Sequence, residues 1–273
     1  MVTETFLLRI NISGSLTDGA PKAPPLRQAP NVSGKHMERY YNGGYYLIKR
    51  KPIDFGADKD KVVGTCSRCI NFSVFDNWCL SWMSDKLDND EKKDLELSDE
   101  KIQEIQKWTD SRFDNGSNVF PDIKLAQEFK DNFFNSRNDI EIYGLYFPET
   151  DSDLLLEEFA EGKNTKEFNY NNGDFGLRNN LSRKTVEIDN INEEFLGYDF
   201  IGVECDGSFH SFYCHDITQA LIEKFTLTLN ANGLFDKPER PNEIREYLNN
   251  PNTGLEPVPW YIVKVKRQKN ASS

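Results

Sequence analysis

The chain has 3 His, 5 Cys and 3 Met in 273 residues. It also lacks any apolar run near the roughly 20 residues that a membrane span needs. Its start, "MVTETFLLRINISGS", has no basic segment followed by a long apolar core, so it does not read as a signal peptide. An odd cysteine count without such a signal implies a reducing cytoplasm and free thiols. The Asn-x-Ser patterns then carry no meaning as glycosylation sites. Positive charge is also short, with 33 Lys and Arg against 45 Asp and Glu, a net charge of −12. An acidic surface repels phosphates, so direct nucleic-acid binding is not expected. Its expected partner is a protein with a basic face.

Aromatic residues are plentiful, with 19 Phe and 11 Tyr. They carry much of the burial and suit sheet positions. The length permits a substantial core without disulfide staples.

Periodicity gives an α+β class, with mostly antiparallel sheets, packed helices and two subdomains. "TETFLLRINIS" (3–13) alternates as a strand. The proline-rich 14–35 reads as an extended arm through which the chain could form a homo-oligomer. Further strands are expected at 45–53, 61–75 and 76–82. Ser98 caps a helix with Ile102, Ile105 and Trp108 on its stripe. Pro121 opens another, with Ile123, Ala126, Phe129 and Phe133. "IEIYGLYFP" (140–148) is a strand and 149–162 a short helix. The Asn- and Gly-rich 163–182 reads as a linker between an N-terminal region (1–162) and a C-terminal domain (183–273). That domain reads as a hairpin (198–204 and 208–214), a helix from Asp216 towards Gly233, a helix over 241–250 and a strand at 256–267. The basic "VKVKRQK" near its end could meet acidic surface on its own chain or another subunit, or be a solvated end.

"CDGSFHSFYCHD" (205–216) concentrates Cys205, His210, Cys214 and His215. On a strand, His210, Phe212 and Cys214 share one face, and Cys214 and His215 point apart. Three readings compete. In the first, these side chains are packing material and no cofactor is bound. In the second, Cys66 and Cys69 form a C-x-x-C half-site that His210, Cys214 or His215 completes around zinc. In the third, His210 and His215 serve a hydrolase with Cys79 or Cys205 as the nucleophile. Separately, "RYYNGGYY" (39–46), flexible at Gly43 and Gly44, offers Tyr40, Tyr41, Tyr45 and Tyr46 as interface anchors. Ordinary strand packing competes with that role.

Residues 197–267, with "GYDFIGVECDGSFHSFYCHDI" and "LEPVPWYIVKVKR", resemble the C-terminal part of uncharacterised proteins of bacteria and their phages. The resemblance implies a cytoplasmic protein of a bacterial or infected bacterial host. Such proteins include immunity and anti-defence inhibitors, which act by binding. The resemblance therefore implies a non-catalytic binding protein that neutralises a partner, for instance by blocking a nucleic-acid-binding enzyme. It transfers no site residues.

Overall fold

A computed structural model describes residues 38–52, 62–67, 72–73, 89–112, 119–161, 176–203, 209–215 and 218–269. The strands expected at 3–13 and 76–82, the arm at 14–35, Cys69, Cys79, Cys205 and Asp216 lie outside these residues.

The described strands are β1 (Tyr40–Lys49), β2 (Phe72–Ser73), β3 (Ile140–Pro148), β4 (Glu193–Val203), β5 (Phe209–Ser211) and β6 (Trp260–Gln268). They form one sheet in the order β2-β1-β3-β6-β4-β5, with every pair antiparallel. The helices are α1 (Asn89–Asp94), α2 (Asp99–Asp110), α3 (Ile123–Phe134), α4 (Glu149–Glu161), α5 (Leu177–Ser182), α6 (Thr218–Phe225) and α7 (Pro241–Leu248). The fold is α+β. A boundary at 163–182 does not divide the sheet, because β3 pairs directly with β6. Residues 177–182 are not linker but α5, whose Leu177 and Leu181 are buried.

Local sequence explains most elements. Ser98 accepts a hydrogen bond from the Lys101 amide and Asp122 accepts one from Leu125, capping α2 and α3. Pro121 thus precedes the cap and does not sit in the helix. In α7, Pro241 occupies the first turn, where its missing donor costs nothing.

Both sheet faces are covered. On one, Tyr46, Leu145, Phe147, Val263 and Ile201 pack with Leu155 of α4 and with Leu177 and Leu181. On the other, Phe200, Ile262 and Trp260 pack with Leu221 of α6, Ile244 of α7, and Phe235. A third cluster joins Leu47, Ile140 and Ile142 to Ile105 of α2 and Phe129 of α3.

Three local expectations are corrected. Strand β1 starts at Tyr40 and runs through Gly43-Gly44, which the sequence reads as a flexible point. The register shifts between Asn42 and Gly44, and Gly44 has φ +130°. Second, the strand expected over 208–214 is only Phe209–Ser211, followed by a 3-10 turn at Phe212–His215. Phe212 and Tyr213 are consecutive yet share one core cluster, which alternation on a strand would forbid. Third, α6 stops at Phe225. The chain then turns so that Phe235 bridges both Leu229 and Tyr198, covering the outer edge of β4.

Candidate functional site

Of the zinc candidates, Cys66 and His210 have described side chains. Register places them on opposite faces of the sheet. Gly202 faces His210 across β4–β5, three residues beyond Asp199, and alternation puts positions 199 and 202 on opposite faces. The Cys66 thiol lies 3.8 Å from Asp199 Oδ2, whereas His210 Nδ1 lies 3.9 Å from Glu256 Oε1. One ion cannot bind both Cys66 and His210 in this arrangement. Among the described residues, no group of three or more His, Cys, Asp or Glu could hold a metal ion. The 3-10 turn also removes the premise that Cys214 and His215 point apart as strand neighbours.

Cys66 instead closes a buried polar knot. Asp199 Oδ2 accepts hydrogen bonds from the Thr65 hydroxyl at 2.5 Å and from the Cys66 amide at 3.4 Å. Oδ1 has no partner among the described residues. Burial raises the Asp199 carboxyl to about 6, despite those hydrogen bonds. Burial, and then the adjacent Asp199, push the Cys66 thiol well above its ordinary value. This thiol is held neutral, the opposite of an activated nucleophile.

Tyr40, Tyr41 and Tyr46 are buried and Tyr45 is half-buried. Tyr41 and Tyr46 join the core under α4 and α5. Tyr40 and Tyr45 face a polar network in which Tyr45 and Tyr146 exchange a hydrogen bond at 3.2 Å. Tyr146 also donates to Glu193 at 3.0 Å. Lys264 Nζ sits 3.6 Å from the Tyr40 ring centroid and Lys266 Nζ 5.0 Å from that of Tyr146.

The centre of this network comes from an exposed strap, residues 185–192. Its start is stitched to β1: the Asn42 amide donates to Thr185 O, and the Glu187 amide to Tyr40 O. Glu187 turns inward, and its carboxylate takes Lys264 at 2.7 Å and Lys266 at 2.5 Å. Burial raises the Glu187 carboxyl, but the hydrogen bonds from the two lysines together outweigh it and hold the group below its ordinary value. Lys266 is only 6% exposed. The basic end of the chain thus pairs with its own acidic residues, since Arg267 likewise meets Glu141 and Glu194.

The residues beside Glu187 turn outward. Ile188 and Ile191 are 77% and 86% exposed, and Val186 and Phe195 are exposed too. The sequence marks Lys264 and Lys266 only as part of the basic "VKVKRQK", which pairs with acids of its own chain, and does not mark Glu187, Ile188 or Ile191. The signal was the alternation in "TVEID", an acid between two β-branched residues, matched by "VKVK" in β6.

Comparison with family models, with curated proteins and with solved structures finds no match to the chain. Among the described residues, no helix is long and apolar enough to cross a membrane.

Proposed function

We propose that this chain is a binding protein whose docking element is residues 186–195 and whose partner is a protein with a basic face. One observation carries the reading. Of the six exposed large hydrophobic residues among those described, four fall in this stretch: Val186, Ile188, Ile191 and Phe195. Scattered exposed hydrophobes need no explanation, but their concentration in one segment does. The same ten residues contain no Lys or Arg, in a chain of net charge −12; of their four acids, Glu187, Glu193 and Glu194 are engaged by Lys264, Lys266, Tyr146 and Arg267, and Asp189 is the exposed one left to face a partner. An apolar recess rimmed by Lys and Arg complements both features. The charges would speed encounter and the apolar side chains would hold the complex. A nucleic-acid-acting enzyme has such a face, and covering it would inhibit that enzyme. This is the immunity or anti-defence form of the reading.

The test is parallel affinity purification from the bacterial host, infected and uninfected, with wild type and the Ile188→Asp/Ile191→Asp double variant. Captured candidates are then purified and titrated. The expected result is a basic protein that binds wild type, binds more weakly as salt rises, and is lost with the double variant. Equal binding to both forms would overturn the proposal.

A further inference from the structure

Two lysines on one strand share one carboxylate, and that carboxylate is delivered by a loop. Lys264 and Lys266 are two apart on β6, so their side chains emerge on the same face. Their neighbours belong to the rigid sheet: Tyr146 on β3, opposite Lys264 in register, Tyr198 on β4, also opposite Lys264, and Tyr40 on β1. Glu187 belongs to the strap. Its neighbours Thr185, Val186, Ile188, Asp189, Asn190, Ile191 and Asn192 are all exposed. The strap residues therefore lose little burial if this stretch lifts.

The carboxylate oxygens of Glu187 divide between the two ammonium groups, Oε2 to Lys264 and Oε1 to Lys266. That is how an oxyanion ligand sits between two lysines. The other acids nearby do not replace it. Glu193 approaches Lys266 only to 3.8 Å and accepts from Tyr146. Glu38 accepts from the Tyr40 hydroxyl. With Glu187 withdrawn, the two ammonium groups would face only Glu193 among the described acids, at 3.8 Å from Lys266, because the Tyr40 and Tyr146 hydroxyl protons are already given to Glu38 and Glu193.

We infer that Lys264 and Lys266 form an oxyanion-binding site that Glu187 occupies in cis, so that the strap is displaced when a phosphate or carboxylate ligand enters. The anion site does not require that residues 186–195 dock a protein, although Glu187 belongs to that stretch. The tethered carboxylate competes with added anion at an effective concentration in the millimolar range or above. Wild type should therefore bind free anions weakly, and removal of the tethered competitor should unmask the site.

The experiment titrates inorganic phosphate into the full chain by calorimetry, with sodium chloride holding ionic strength constant. Glu187→Ala should bind phosphate about tenfold tighter than wild type or better, as expected on removal of a tethered competitor. Adding Lys266→Met should abolish the gain. A folded Glu187→Ala protein with wild-type phosphate affinity overturns the inference, as does a gain that survives Lys266→Met. Should Glu187→Ala fail to fold, wild type decides by hydrogen exchange. Phosphate must then speed exchange of the Glu187 amide, which is bonded to Tyr40 O at 2.8 Å. Unchanged exchange at matched ionic strength overturns the inference.

Discussion

The Cys66 thiol and the Asp199 carboxylate meet at 3.8 Å in the core, and both groups are buried. Thr65 donates to the same carboxylate oxygen, so three consecutive polar groups of the 65–66 segment (a hydroxyl, an amide and a thiol) converge on one acid. A carboxylate in that setting gains hydrogen bonds but keeps the cost of its charge.

The cost gives a pH dependence. Asp199 titrates near 6 when folded and near its ordinary 3.8 when unfolded. Between those values the folded protein holds the extra proton. The stabilisation linked to this group is full below about pH 3.8 and is lost as pH rises through about 6, on the order of 3 kcal/mol in all. Asp151 moves the same way, raised to about 6 by burial against the pull of Arg245. The urea midpoint is therefore expected to fall between pH 4.5 and pH 7, and Asp199→Asn to flatten part of that fall. An equally steep fall in the variant would remove Asp199 as a source.

Gly44 tests the bulge. A Cβ there would lie 2.6 Å from both Val119 Cγ2 and Asn180 Nδ2, at a φ of +130° that side chains rarely adopt. Asn180 cannot simply turn away, because it donates to Gly43 O and Phe120 O. Gly44→Ala is expected to cost about 3 kcal/mol or more, combining backbone strain with overpacking. Equilibrium urea unfolding measures it, and a loss under about 1 kcal/mol would mean that the bulge can relax.

Elements with local causes were legible in the sequence. The run Ile140–Pro148, the Ser98 cap and Pro241 each signal their structure within a few residues. Gly43-Gly44 reads locally as a flexible point, and only Val119 and Asn180, far away in sequence, make it a tight bulge. Phe212 and Tyr213 read as alternate strand positions, while the core demands both on one side. The candidate site was hidden for the same reason. Acid in "VEIDNINEEF" and base in "VKVKR" are visible, but their pairing follows from the β1-β3-β6-β4 order.

Burial should also protect Cys66 chemically. Its thiol is raised by burial and then by Asp199, so little thiolate is present to react. In native protein at pH 7.5, iodoacetamide labelling mapped by mass spectrometry should leave Cys66 unmodified, whereas urea-unfolded protein should label fully. Labelling of Cys66 in the native state at the rate of a free thiol would contradict this packing. Stoichiometric zinc lost on Cys66→Ser would contradict it as well.

Arg245 and Asp151 offer a sharper test, because only one of the two charges is deeply buried. The guanidinium of α7 donates to Asp151 in the first turn of α4 at 3.0 Å, with side-chain exposures of 21% and 3%. Arg245→Met keeps most of the arginine stem's packing but strips Asp151 of its counter-charge. Breaking a buried pair from one side costs about 3 kcal/mol, because the remaining charge stays unpaired. Asp151 can escape that cost by taking up a proton. Without Arg245, which lowers its pKa, the carboxyl should titrate above its present value of about 6. The loss of stability in Arg245→Met should therefore be large at pH 8 and shrink towards pH 5, as the acid becomes neutral in both proteins. Urea unfolding of both proteins at those two pH values measures the difference. Adding Asp151→Asn should recover much of the loss at pH 8 and little at pH 5. A cost independent of pH would instead assign the effect of Arg245 to packing alone.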